Sequence, residues 1–173
     1  MIPDTLETGG RRGLVTEAHL KSVFSVAGST PLNAIAPRRH TRGMTTSAIP
    51  IDPPTLPRSP AFAQGMVLPT GPILYVGGQN GTDAHGTLLD GLGPQTEQAL
   101  RNVLAVLAEA GSGPEYTAKL TIYLSPDVDP DAAYAASAAV WKHRTAVSVI
   151  ALAPAKPGAL VEIEAVAGIP TTA

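Results

Sequence analysis

The sequence predicts an α+β domain, in which a mixed β-sheet carries two helices on one face and the elements follow the order β-β-α-β-α-β-β. Apolar and other residues alternate with a period of two over residues 146–151 and again over 161–167, which is typical of β-strands. Residues 94–110 repeat apolar side chains with helical spacing, and the Ala-rich segment 131–141 follows a turn rich in Pro and Asp. These three observations set the fold class.

The first two strands are predicted at residues 66–68 and 73–76, joined as a β-hairpin by the Pro/Gly segment 69–72. Gly77 and Gly78 are expected to end the second strand at a place where a neighbouring chain or a ligand comes close to the backbone.

The long helix has clear boundaries, because Pro94 fits the first turn and Gly111 fits the stop. Its stripe of Leu100, Val103 and Leu107 is expected to face the core. A half-buried strand is predicted over residues 116–124, before the second helix. Two helices cover only one side of a sheet, and an uncovered apolar face needs a partner, so we expect an oligomer.

Composition narrows the class of protein. The chain has 173 residues, 44% of them hydrophobic, and no cysteine, which excludes disulfides, thiol catalysis and thiolate metal ligands. A net charge of −2 disfavours a nucleic-acid surface, and no apolar run reaches the roughly 20 residues of a membrane span. We expect a cytoplasmic protein that binds neither nucleic acid nor membrane.

Residues 1–43 differ from the rest. They hold six basic and three acidic residues, a net charge of +3, whereas the remainder holds six basic and eleven acidic residues, a net charge of −5. A short helical pattern is possible near residues 14–26, but Gly, Pro and Arg clusters at both ends leave it nothing obvious to pack on. Three interpretations stay open: an upstream extension with Met44 as the true start, a disordered tail, or an Arg-rich targeting peptide. Residues 44–58 form a Pro-rich extended lead-in, and 59–173 form the domain.

Arg144 and Glu162 are the first candidates for function. Each lies in or next to one of the two carboxyl-terminal strands, and the loop with Pro154, Pro157 and Gly158 is expected to reverse the chain and bring the charged ends together. An arginine can bind a carboxylate through two parallel N–H bonds. Arg144 could instead be a salt-bridge partner. Glu164 lies on the same side of its strand as Glu162, so either could be structural.

The histidines do not form a metal-ligand pattern. His19 and His40 lie in the first 43 residues, and His85 and His143 are far apart in sequence without a helical-spacing partner. His143 is expected to be solvated. We therefore predict no metal site.

Four motifs resemble the reactive-intermediate deaminase family, known as RidA or YjgF: SPAFAQG at 59–65, GGQ at 77–79, PQTEQALRNV at 94–103, and RTAV with PGALVEIEAVA near the carboxyl end. The resemblance implies a chorismate-mutase-like fold and a homotrimer with a cleft between each pair of subunits. It also implies hydrolysis of 2-imino acids to 2-keto acids and ammonia, a reaction that requires neither a metal nor an organic cofactor.

The resemblance also implies roles for single residues. Arg144 would bind the substrate carboxylate, with Thr145 and Ala146 beside it. Glu162 would orient the attacking water, and backbone groups at Gly78 and Gln79 would contact the ligand.

Several features depart from the family pattern. Phe62 stands where the family has a tyrosine and is expected to form an apolar wall of the cleft. Ala146 replaces a cysteine, the family's helix asparagine falls near Ala136, and the connection between Trp141 and Arg144 is shorter.

Two other functions compete with the imine deaminase. One is a non-catalytic trimer that binds small carboxylates. The other is an RNA-acting protein, which the net charge of −5 disfavours because phosphates need basic side chains.

Overall fold

The computed structural model describes residues 47–170, which contain a four-stranded sheet, a two-stranded sheet and two α-helices. The three interpretations of residues 1–43, the helical pattern near 14–26 and the alternative start at Met44 lie outside the described residues. The strands are β1 (Ile49–Ile51), β2 (Gly65–Val67), β3 (Ile73–Asn80), β4 (Thr117–Leu124), β5 (Ala146–Ala151) and β6 (Val161–Gly168). The helices are α1 (Leu92–Glu109) and α2 (Pro130–Val140), with a 3-10 turn at Pro114–Tyr116.

The larger sheet has the order β3-β6-β4-β5. Strand β6 pairs antiparallel with β3 and β4, and β4 pairs parallel with β5, so the sheet is mixed as predicted. The α+β class is confirmed. The structure adds one strand, β1, to the predicted order, because Ile49–Ile51 in the Pro-rich lead-in pairs antiparallel with β2.

The predicted hairpin between β2 and β3 is wrong. Strand β2 pairs with β1, whereas β3 joins the larger sheet beside β6. Pro69 and Pro72 stand at the two ends of the connection, and neither can donate a backbone N–H to a ladder. The strand also does not end at the glycines: β3 continues to Asn80 through an irregularity between Val76 and Gln79, and bulges commonly contain glycine.

The helices begin and end close to the predicted residues. Gly91 stands at the N-terminus of α1 with φ of 83°, and Leu100, Val103 and Leu107 of this helix are buried. The carboxylate of Asp129 caps α2 by accepting a hydrogen bond from the backbone N–H of Asp131 at 3.0 Å.

The core lies between the helices and one face of the sheet. Helix α1 packs on β3 and β6, and α2 packs mainly on α1. Val161, Ile163 and Ala165 of β6 point into this core, which also contains Leu120 and Leu124 of β4. Half-buried Trp141 packs against the core at the end of α2.

The uncovered face of the sheet is not the apolar surface that the sequence predicts. Because side chains alternate along each strand, this face carries Lys119, Thr121 and Tyr123 of β4 and Glu162 and Glu164 of β6. Tyr75 of β3 lies on the same face, with 74% of its surface accessible. The face is therefore mixed in polarity, and its apolar content does not by itself argue for a partner.

Candidate functional site

Arg144 lies just before β5, with its guanidinium directed at the segment that precedes β2. Its Nη2 donates hydrogen bonds to a carboxylate oxygen of Asp52 at 2.9 Å, to the carbonyl of Ser59 at 3.0 Å and to the carbonyl of Phe62 at 2.7 Å. These bonds fix the arginine against the lead-in. The side chain is 26% exposed, and within residues 47–170 Nε is buried without a hydrogen-bond partner.

Asp52 is the partner that sequence reasoning missed. One of its carboxylate oxygens accepts from Arg144, and the other accepts from the backbone N–H of Gln64 at 3.1 Å. The Gln64 hydrogen bond, followed by the bond to Arg144, lowers the pKa of Asp52 below its usual value. The salt-bridge alternative for Arg144 is thus realised within the chain.

This arrangement limits how Arg144 can bind a second carboxylate. The hydrogens of Nη2 already have three acceptors, so the expected pair of parallel bonds to a substrate would need one acceptor to give way. Nη1 and buried Nε have no hydrogen-bond partner among residues 47–170, so these two nitrogens are the donors that remain.

Phe62, Thr145 and Ala146 surround Arg144 and form with it the arginine half-site. Phe62 and Thr145 are linked by an isolated parallel bridge, and Phe62 is 39% exposed. The Thr145 side chain is buried, and its hydroxyl accepts from the indole N–H of Trp141 at 3.2 Å. Thr145 is therefore placed to support the site from behind. Ala146 begins β5 and is half-buried.

Glu162, Gly78 and Gln79 come together at the other end of the sheet and form the glutamate half-site. Glu162 and Asn80 are cross-strand neighbours, and the Asn80 amide donates to the Glu162 carboxylate at 3.4 Å and to the carbonyl of Val161 at 3.2 Å. A Cβ atom on Gly78 would lie 1.7 Å from Oε1 of Glu162, so the carboxylate rests directly on the bare backbone of this glycine. The amide of Gln79 folds back and donates to the carbonyl of Gly77 at 3.1 Å.

Glu164 differs from Glu162 in its partner. The hydroxyl of Tyr123 donates a hydrogen bond to Glu164 at 2.9 Å, and this bond raises the pKa of Tyr123. Glu164 thus has a cross-strand structural partner, whereas Glu162 lies beside the exposed glycine backbone.

A network of buried amides supports the glutamate half-site. The Asn102 amide donates to the carbonyls of Asn80 and Thr82, at 3.0 and 2.9 Å. Buried Gln95 donates to the carbonyls of Leu89 and Gly158 and accepts from the N–H of Leu160, two residues before Glu162. Both side chains belong to α1, so the helix fixes the start of β6.

The two half-sites do not meet within one chain. Strand β4 lies between β5 and β6, so the expectation that the 154–158 loop brings the charged ends together is wrong. On the shared neighbour β4, Glu162 lies opposite Tyr123 and Ala146 lies opposite Lys119. Arg144 precedes Ala146 by two residues and is therefore level with residue 117 of β4. Six residues of strand separate the two levels, which is about 20 Å at 3.3 Å per residue. The order of strands cannot be read from a loop length, which is why this separation could not be predicted from the sequence.

Residues 47–170 contain neither a cluster of metal ligands nor a helix that could span a membrane. Within 47–170, no three His, Cys, Asp or Glu side chains lie close enough together to hold a metal ion. His143 is exposed, as expected. Among the helices of this part of the chain, neither combines the length and the hydropathy needed to cross a membrane.

Comparison with known proteins places the chain in a family. Residues 57–169 match the sequence profile described as Endoribonuclease L-PSP. YyfB from Yersinia pestis, described as a Rid-family protein of unknown function, is similar in structure: 31% identity, 70% of this chain and 98% of that chain covered, TM-score 0.64. RidA from the Antarctic bacterium Psychrobacter sp. is 25% identical, with 65% and 93% covered and a TM-score of 0.54. No curated protein matches. The chain belongs to the Rid family, also described as YjgF or Endoribonuclease L-PSP.

Proposed function

We propose that this protein hydrolyses reactive 2-imino and enamine acids, of the 2-iminopropanoate or 2-iminobutanoate type, to 2-keto acids and ammonia. The observation that carries the proposal is the glutamate half-site. There a half-buried carboxylate, oriented by Asn80, lies against a glycine backbone with no side chain to cover it. Such a carboxylate can hold a water molecule beside a flat substrate.

The reaction needs few groups. Arg144 binds the substrate carboxylate, and Glu162 accepts a proton from water as the water oxygen bonds to C2 of the protonated imine, whose C=N π electrons move onto nitrogen. The resulting carbinolamine carries OH and NH2 on the same carbon. Glu162 returns the proton to nitrogen, ammonia leaves, and the hydroxyl loses its proton to give the ketone. General acid–base assistance of this kind contributes on the order of 10²- to 10⁴-fold in rate.

We infer that each complete site combines the arginine half-site of one subunit with the glutamate half-site of its neighbour in a homotrimer. The separation of about 20 Å within one chain supports this arrangement. The two half-sites are different surfaces, so their meeting is a heterologous contact, which can close into a ring of three. Phe62 would form an apolar wall of the cleft, and Gly78 and Gln79 would contact the ligand. The reaction requires neither a metal nor an organic cofactor, and we place it in the cytoplasm.

A direct assay tests this function. The imine is generated in situ from threonine or serine with a dehydratase, and keto-acid release is followed with and without the protein. Wild type is expected to accelerate release, and Glu162→Gln, which keeps the shape but not the charge, is expected to lose about 10²-fold or more. Glu164→Gln is the matched control on the same strand and should retain activity. Failure of wild type to accelerate release would end the proposal.

The competing function is a non-catalytic binder of small carboxylates that keeps Arg144 as the binding residue. The ion pair of Arg144 with Asp52 weakens the attraction for a carboxylate in both functions, so proton transfer is what distinguishes them. With a non-catalytic binder, keto acids would bind, but neither imine would be hydrolysed. An RNA substrate is disfavoured by the net charge of −5 outside the first 43 residues.

A further inference from the structure

A cavity of about 560 Å³ lies beside the arginine half-site. The sheet contributes Leu120, Ile122 and Leu124 to its wall, and the neighbouring strand β5 contributes Val147 and Val149. The volume is well within the range of roughly 300 to 1,000 Å³ that small-molecule sites occupy.

The sequence of α2 explains why this space is open. The helix packs mainly on α1, so it does not cover the β4–β5 side of the sheet closely. On the side that faces the cavity, Ala133, Ser137 and Ala138 offer only short side chains. Val149 is consequently 55% exposed although its strand neighbour Ile122 packs against the core.

One end of the cavity is basic. Lys142, His143 and Arg144 line it together with Phe62, while Asp131, at the N-terminus of α2, is the acidic residue in its lining. The ring of Tyr134 lies 5.5 Å from the ring of Phe62 at an angle of 55°, and the two aromatic side chains form a wall beside Arg144. An apolar hollow with the cations of Lys142 and Arg144 at one end fits an amphipathic anion.

We propose that this cavity is the side-chain subsite of the enzyme, and that the substrates are 2-imino acids with bulky apolar side chains, either branched aliphatic or aryl. The inference rests on the proposed function, because Arg144 and Phe62 belong to both the half-site and the cavity. The carboxylate stays on Arg144, and the apolar side chain enters the space under α2. A methyl or ethyl group would leave most of the cavity unfilled.

Equilibrium binding of the product keto acids tests the subsite without requiring catalysis. Isothermal titration of the full chain with pyruvate, 4-methyl-2-oxopentanoate and phenylpyruvate is expected to show binding that tightens by about 10-fold or more from the first acid to the others. Equal affinity for the three keto acids, or no binding of any of them, overturns the proposal.

Filling the cavity provides the matched comparison. Ala138→Phe places a ring in the space from α2, and Val149→Phe does so from the sheet in case the helical variant fails to fold. Either is expected to reduce the preference for the large acids to within about 2-fold. Ala139→Phe introduces the same ring at an exposed α2 position that does not line the cavity, and it should keep the wild-type preference. A preference that survives both filling variants contradicts the proposal.

The deaminase assay separates the two claims. If wild type hydrolyses 2-iminopropanoate but the keto-acid series is flat, the subsite fails and the function stands. If no imine is hydrolysed, but the larger keto acids bind more tightly and Ala138→Phe abolishes that preference, the proposed function fails and the binding site stands.

Discussion

Replacing Gly78 by alanine should disable the glutamate half-site while leaving the fold intact. An ideal Cβ at this position would lie 1.7 Å from Oε1 and 2.6 Å from Cδ of Glu162. Ordinary van der Waals contact begins at about 3.4 Å, so the carboxylate must move by roughly 1.7 Å. The atom that must move is the end of a flexible side chain, which can rotate away at little cost.

The catalytic loss follows from this displacement. A shift of about 1 Å in a positioned group can lower a rate by about 10²-fold, so we expect kcat to fall by at least that factor. The arginine half-site is untouched, so KM should change little. The stability of the fold should not fall, because the backbone of Gly78 has no positive φ and alanine restricts the unfolded chain.

Gly77→Ala is the matched control. It is the preceding residue of the same strand, and a Cβ there meets no atom within 4 Å. We expect unchanged kcat and a free energy of unfolding raised by about 0.4 to 1 kcal/mol. Steady-state imine hydrolysis and urea denaturation of both variants provide the comparison. Equal activity of the two variants would refute the role assigned to Glu162 and its glycine neighbour.

Three further predictions concern the supporting contacts. Gln95→Leu removes the three hydrogen bonds of a buried amide and should lower the free energy of unfolding, measured with urea, by about 2 to 4 kcal/mol. A decrease smaller than about 0.5 kcal/mol would contradict this prediction. The raised pKa of Tyr123 gives stability that is present below about pH 10 and lost as the pH rises through the folded pKa. Tyr123→Phe should therefore flatten the alkaline limb of the stability–pH curve. Alkaline limbs of equal slope in the variant and the wild type would exclude a role for the bond to Glu164. The hydrogen bond from Gln64 and, after it, the bond to Arg144 lower the pKa of Asp52, which gives stability that is present above about pH 4 and lost as the pH falls through the folded pKa. Asp52→Asn should therefore flatten the acid limb of the stability–pH curve, and an unchanged limb would mean that these two bonds are not a source of stability.

The elements with strong periodicity could be predicted from the sequence. The stripe on α1 is buried as expected, and β4 and β6 have core side chains at the alternate positions that the pattern indicates. The Pro, Gly and Asp residues at the helix boundaries predicted the ends of both helices to within two residues. These features are local, so nearby residues are enough to specify them.

Long-range pairing could not be predicted in the same way. The three-residue strand β1 is too short to give a period, and its pairing with β2 depends on tertiary contacts. The insertion of β4 between β5 and β6 separates Arg144 from Glu162, and no spacing in the sequence encodes it. The carboxylate of Asp52, 92 residues before Arg144, lies in a segment that looked like a simple Pro-rich connection.

The central claim is that Arg144 of one subunit and Glu162 of another act in the same site, and subunit complementation tests it most directly. Arg144→Ala and Glu162→Gln, each inactive alone, are unfolded, mixed in equal amounts and refolded together. Random assembly places an intact arginine half-site against an intact glutamate half-site at about one quarter of the interfaces, so about a quarter of the refolded wild-type activity should return. Mixed oligomers that form, as judged by mass, but show no activity would contradict the account.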